Sequence, residues 1–212
     1  MPFKEIAEHN PVIPVVTFSS FDHILPLADA LMAGGIHIIE ITLRSQLALP
    51  AIELVARELP NMTVGAGSVK DPQAFQSAIK AGAHFAVSPG TTRALLDEAV
   101  RWDVPFLPGA GTVSESLNLL QSGYSCQKLF PANILGGINF LKSLAGPIPE
   151  VSFCPSGGVN AENFSLYLQQ PNVVCVSGSW ITPDVLINEG DWNAVTELAR
   201  AACSESISRV VP

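Results

Sequence analysis

The stretch HIIEITL, residues 37–43, decides how this chain is read. It is apolar nearly throughout, rich in β-branched isoleucine, and holds one acid, Glu40. A half-exposed strand would alternate apolar and polar residues; a continuous apolar run belongs to a parallel strand covered on both faces. Seven similar runs surround it: PVIPVVT from Pro11, TVGAGSV from Thr63, FAVSP from Phe85, PFLPGAG from Pro105, QKLFP from Gln127, VSFCPSGG from Val151 and VVCVSGS from Val173. Their ends recur about every 19 to 25 residues.

Helical patterns such as LPAIELVARELP and DPQAFQSAIKAG lie between the runs. Glycines at 34, 35, 82, 123 and 146 fall where helices should stop. Asp71 followed by Pro72 reads as a helix start. Eight strand–helix units in one domain-sized chain predict a single (β/α)8 TIM barrel over residues 1–212. The segment before Pro11 is expected to form a short helix capping the barrel bottom. The alternative is an open, doubly wound sheet, but no G-x-G-x-x-G follows the first strand.

Composition narrows function. Hydrophobic residues are 48% of the chain and charged residues 14%, enough apolar surface to build a packed core. The net charge of -8 gives no electrostatic footprint for nucleic acid or an anionic membrane. An anionic substrate must therefore be held by local donors. No basic leader with a long apolar stretch opens the chain, and no run is long enough to span a bilayer, so a cytoplasmic setting is expected. Cys126, Cys154, Cys175 and Cys203 lie far apart and read as thiols, not disulfides or metal ligands. His9, His23, His37 and His84 show no metal-ligand spacing and read as surface or strand-edge residues. No cofactor and no metal are expected.

In a (β/α)8 barrel the chemistry sits at the C-terminal ends of the strands. Only two strand interiors contain a charge. Period-two alternation puts Ile38, Glu40, Thr42 and Arg44 on one face and Ile39, Ile41 and Leu43 on the other. Glu40 then points into the barrel, with Arg44 nearer the mouth: a general acid/base beside an anion-binding cation, or a purely structural pair. Lys128, in QKLFP, is the other charge. Lys4, Lys70, Lys80 and Lys142 fall in polar or helical contexts. Burial disfavours an ammonium, and a neutral amine is a nucleophile for carbonyls. A lysine paired with Glu40 for structure alone is the competing reading.

The runs at positions seven and eight end in Pro155-Ser156-Gly157-Gly158 and Ser177-Gly178-Ser179-Trp180. These are the loops that bind phosphate in this fold, and glycines allow close backbone approach to oxygens. Ser68 in GAGSV sits at the same rim. Pro89 and Pro108 read as terminators of strands four and five.

These residues resemble a known family. PVIPVV, GGIHIIEITLRS, VGAGSV, FAVSPG, PGAGTVSE, KLFPAN, FCPSGGV and VSGSW, in that order, are similar to the bacterial 2-keto-3-deoxy-6-phosphogluconate aldolase / 4-hydroxy-2-oxoglutarate aldolase family. The resemblance implies a class I (Schiff-base) aldolase without cofactor, commonly a homotrimer, acting on a phosphorylated 2-keto-3-deoxy sugar acid. It implies that Lys128 forms the imine and Glu40 is the general acid/base. It further implies that Arg44 and Ser68 hold the pyruvoyl carboxylate. Ser156, Gly157, Gly158, Gly178 and Ser179 would receive the phosphate and adjoining carbons, with Pro89 elsewhere on the rim. This chain departs by carrying Ser68 and Ser156 where threonine is usual, Asn133 where glutamate is common, and Ser177 for a glycine. The other readings are 4-hydroxy-2-oxoglutarate cleavage as the main activity, a non-covalent phosphate-binding isomerase or epimerase using Glu40 as base, and a barrel that binds a sugar phosphate without turnover.

Overall fold

The computed structural model describes residues 3–207, so residues 1–2 and 208–212 of the expected domain lie outside the described residues. Among the described residues nine strand segments are separated by helices, except that β5 and β6 are divided by Pro108 alone: β1 (Val12–Val16), β2 (Ile38–Thr42), β3 (Thr63–Gly67), β4 (Phe85–Val87), β5 (Phe106–Leu107), β6 (Gly109–Ala110), β7 (Cys126–Leu129), β8 (Ser152–Pro155) and β9 (Val176–Gly178). All ladder pairings are parallel. One arc has the order β5-β4-β3-β2-β1-β9 and the other β6-β7-β8. Sequential strands are thus neighbours, and the first strand pairs with the last. Parallel bridges Phe153↔Val173 and Ser156↔Ser177 link the arcs at β8 and β9.

Every residue of β2 is buried, which explains its continuous apolar run. The expected single strand at PFLPGAG is instead two segments, so Pro108 interrupts this strand and does not terminate it. Proline has no N–H for the ladder, although its carbonyl still accepts the Lys128 N–H at 2.9 Å. Immediately beyond it, a Cβ on Gly109 would lie 2.5 Å from the Pro89 backbone, so only glycine permits this approach.

Helix starts follow local chemistry. The Asp71 carboxylate accepts the Ala74 N–H at 2.8 Å, with Pro72 in the first turn. Thr112 caps Glu115 N, and the Glu115 carboxylate reaches back to the Gly111 N–H at 2.8 Å. The short helix Phe3–His9 does form, and Phe3 packs edge-on against Phe85, at the start of β4, with centroids 5.5 Å apart.

Among the helices, Glu98 is a buried carboxylate with three donors. It accepts Trp102 Nε1–H at 2.7 Å, Gln76 Nε2 at 3.1 Å and Arg101 at 3.1 Å. The Trp102 hydrogen bond above all, then Gln76 and Arg101, hold its carboxyl below the ordinary 4.5 of a glutamate against the opposing effect of burial. A depressed carboxyl contributes stability that is present above 4.5 and is lost as pH falls through the native value. Glu98→Gln is therefore expected to lower Tm by about 2–4 °C at pH 7. The gap to wild type should close as pH falls from 4.5 through the depressed native value. Thermal melts of both proteins from pH 3 to 7 check the trend, and a gap that stays constant with pH would contradict it.

Candidate active site

At the C-terminal ends of the strands lies a cleft of about 530 Å³. One wall carries Val15, Val16, Thr17, Thr42 and Arg44 from β1, β2 and the residues following them. The facing wall carries Ser156, Gly157, Gly158, Gly178 and Ser179 from the ends of β8 and β9. Phe130 also lines the cleft.

Below this lining sit Lys128 and Glu40. They are 5% and 2% exposed, and Lys128 Nζ lies 3.1 Å from Glu40 Oε1 and 3.4 Å from Oε2. The other four lysines are exposed. The two strands bring the pair together from residues 88 apart in sequence. Phe130, two residues beyond Lys128 and so on the same strand face, holds its ring centroid 5.7 Å from Nζ and itself lines the cleft. Gly67 makes room for the acid: a Cβ there would collide with the Glu40 carboxylate. This role for the second glycine of GAG was not visible in the sequence.

Register extends the inward face. Lys128 pairs with Cys154, and the bridge Ser156↔Ser177 places Cys175 level with Cys154. All four cysteines are free. Burial pushes the Cys126 and Cys175 thiols well above their ordinary value, so they stay neutral beside the Lys–Glu pair.

Arg44 is exposed at the mouth and donates through Nε to Ser68 Oγ at 2.9 Å. Ser68 is the one non-glycine residue with positive φ, +58°, among the described residues. A serine held in that region stores strain, and the Arg44 bond fixes its hydroxyl. Ser68 itself is buried and is not part of the cleft lining. Gly157 and Gly158 have φ of +86° and +85°, and a Cβ on Gly158 would strike Asn133. Ser177 is buried, and its hydroxyl has no protein partner.

Of the sequence-predicted residues, the structure thus gathers Arg44, Ser156, Gly157, Gly158, Gly178 and Ser179 around one cleft, with Lys128 and Glu40 at its floor. Pro89 does not line the cleft; its backbone packs against Gly109. Sequence reasoning passed over Thr17, Thr42, Thr182 and Asn188 in the lining. Thr42 was on the face already picked out by Glu40 and Arg44, the one signal that pointed to it. Among the described residues no three His, Cys, Asp or Glu side chains group as a metal site. Among the described residues no helix is long and apolar enough to cross a membrane.

A buried amine touching a carboxylate, under a cleft with an arginine on one wall and glycine–serine loops on the other, is equipped for the carbonyl chemistry of an aldehyde-lyase. Comparison makes the assignment specific. The family model described as "KDPG and KHG aldolase" matches residues 3–198. The chain belongs to this family. It is 46% identical over 191 residues to the 2-dehydro-3-deoxy-phosphogluconate aldolase of Pseudomonas aeruginosa, covering 90% of this chain and 87% of the relative. It is 41% identical over 199 residues to the KHG/KDPG aldolase of Escherichia coli K12, covering 94% and 93%. The crystal structure of the KDPG aldolase of Legionella pneumophila, with pyruvate captured as a covalent carbinolamine, superposes with a TM-score of 0.93 at 44% identity, covering 95% of this chain and 98% of that one.

Proposed function

We propose that this chain is a class I aldolase that cleaves 2-dehydro-3-deoxy-6-phosphogluconate to pyruvate and D-glyceraldehyde 3-phosphate through an imine on Lys128. The observation that carries the reading is the Lys128 Nζ–Glu40 Oε1 contact of 3.1 Å at the floor of a cleft lined by Arg44 and the glycine–serine loops. Glu40 accepts a proton from Lys128, and the neutral amine attacks the C2 ketone. The carbinolamine hydroxyl takes that proton back from Glu40 and leaves as water, giving a protonated imine and restoring the Glu40 carboxylate. Glu40 then takes the C4 hydroxyl proton. The C3–C4 bonding pair flows into the imine, leaving an enamine and releasing the aldehyde. The enamine is reprotonated at C3 from Glu40, and hydrolysis frees pyruvate and Lys128.

Arg44, with Ser68 behind it, takes the substrate carboxylate. Ser156, Gly157, Gly158, Gly178 and Ser179 take the phosphate, using hydroxyls and backbone N–H groups that glycine leaves open. A related structure supports this end of the cleft: the Zymomonas mobilis aldolase, 37% identical with a TM-score of 0.89, was solved with 3-phosphoglycerate. The chemistry needs neither metal nor cofactor. The chain also cleaves 4-hydroxy-2-oxoglutarate as a second substrate, a reading supported by the double name of the Escherichia coli relative.

The two arcs form one closed (β/α)8 barrel when β5 and β6 are taken as a single strand broken at Pro108. The barrel is a single domain over residues 1–212. A cytoplasmic homotrimer is the assembly that the family resemblance suggests.

Incubation with pyruvate and borohydride, followed by peptide mass spectrometry, tests the reading. The expected result is one reduced pyruvate adduct, on Lys128. Turnover of substrate with no adduct would instead support a non-covalent isomerase.

A further inference from the structure

Thr17 and Thr42 are not explained by the chemistry above. Val15 pairs with Glu40 in the β1–β2 ladder, so Thr17 and Thr42 stand opposite one another on the same inward face, one pleat above the acid. Their hydroxyl oxygens are 2.5 Å apart, and both residues line the cleft. Thr42 is 1% exposed, whereas Thr17 is open to the cleft mouth. The pair holds two protons, and the bond between the oxygens uses one. The other is available to a ligand in the cleft.

The position of the pair around the sheet gives the ligand atom. Strand order β3-β2-β1-β9 places Ser68 and Arg44 on one side of the two threonines and Gly178 and Ser179 on the other. The pair therefore stands between the carboxylate end and the phosphate end of the cleft. Between those ends, the six-carbon substrate carries its C4 and C5 hydroxyls.

We infer that the Thr17–Thr42 hydroxyl pair is a specificity-determining contact for the substrate's middle hydroxyls, Thr42 meeting the C4 oxygen beside Glu40 and Thr17 meeting the C5 hydroxyl nearer the mouth. The inference rests on the aldolase reading and deepens it. Thr17 then discriminates between substrates, because 4-hydroxy-2-oxoglutarate has a carboxylate at C5 and no hydroxyl there. A site built to hydrogen-bond a substrate hydroxyl loses that preference when its own partner is removed.

The test compares wild type with Thr17→Val, which keeps shape and loses the hydroxyl, and Thr17→Ser, which keeps the hydroxyl. Three rates are measured for each: cleavage of the phosphorylated six-carbon acid, cleavage of 4-hydroxy-2-oxoglutarate, and deuterium exchange into the methyl group of pyruvate. Melting curves verify folding. The expected result is a fall of about tenfold in the ratio of the first kcat/KM to the second in Thr17→Val. Most of the ratio should return in Thr17→Ser. A ratio that stays constant, whether all three rates fall together or none does, overturns the inference and leaves the threonines as a tie between β1 and β2. A wild-type protein that neither cleaves these acids nor exchanges pyruvate protons overturns the aldolase reading itself, and this inference with it.

Discussion

Lys128→Ala is expected to lower kcat/KM for 2-dehydro-3-deoxy-6-phosphogluconate cleavage by at least about 10⁴-fold, roughly 5.5 kcal/mol of transition-state stabilisation. Without the amine there is no imine, so the electrons of the breaking C3–C4 bond have nowhere to go. No other lysine can substitute, since Lys4, Lys70, Lys80 and Lys142 are exposed on the surface. Alanine also strands the Glu40 carboxylate, 2% exposed, without its cation. Breaking a buried pair in that way costs about 3–5 kcal/mol of stability. Lys128→Arg separates the two effects. A guanidinium keeps a cation against Glu40 but does not give up its proton to become a nucleophile. Both variants should be inactive and show no pyruvate adduct with borohydride, while the arginine variant melts closer to wild type. Activity above about 1% of wild type in Lys128→Arg would exclude the imine mechanism.

The sequence made this pair legible because a charge inside a strand is conspicuous, and Glu40 and Lys128 were the two such charges. Their mutual contact followed from the fold class, which sends alternate strand residues to a shared interior. The parallel units were legible for the same reason: continuous apolar runs such as Ile38–Thr42 are buried on both faces. The break at Pro108 was not. Apolar continuity reports burial and says nothing about whether each backbone N–H finds a ladder partner, so PFLPGAG read as one strand. Pro89 was assigned to the rim because a strand ended near it, and the sequence did not indicate that it stands outside the cleft lining with its backbone against Gly109. Thr17 and Thr42 lacked any signal of their own, because threonine is an ordinary strand residue. Only the Val15↔Glu40 register sets them face to face. Gly67 shows a further limit: its need for a missing Cβ depends on where a side chain from the neighbouring strand comes to rest.

Glu40→Gln should leave the pocket shape nearly intact and lower kcat for cleavage by about 10²–10⁴-fold, the usual contribution of a positioned acid or base. The amide cannot take the Lys128 proton, the C4 hydroxyl proton or the C3 proton, so every proton-transfer step slows together. Deuterium exchange into the pyruvate methyl group isolates one of these steps, since it needs the enamine and its base but neither the C4 hydroxyl nor the phosphate. If a single carboxylate serves throughout, exchange and cleavage fall by comparable factors. Borohydride trapping of pyruvate should persist at a reduced rate, because the Lys128 amine is still present. Exchange that survives while cleavage collapses would assign Glu40 to the C4 hydroxyl alone and require a second base for the enamine. The geometry argues against that division of labour. Glu40 lies within 3.1 Å of the nitrogen on which both the imine and the enamine form, and the space left by Gly67 seats its carboxylate there. Among the described residues, Asp184 is the one carboxylate in the cleft lining, and it lies beyond the end of β9.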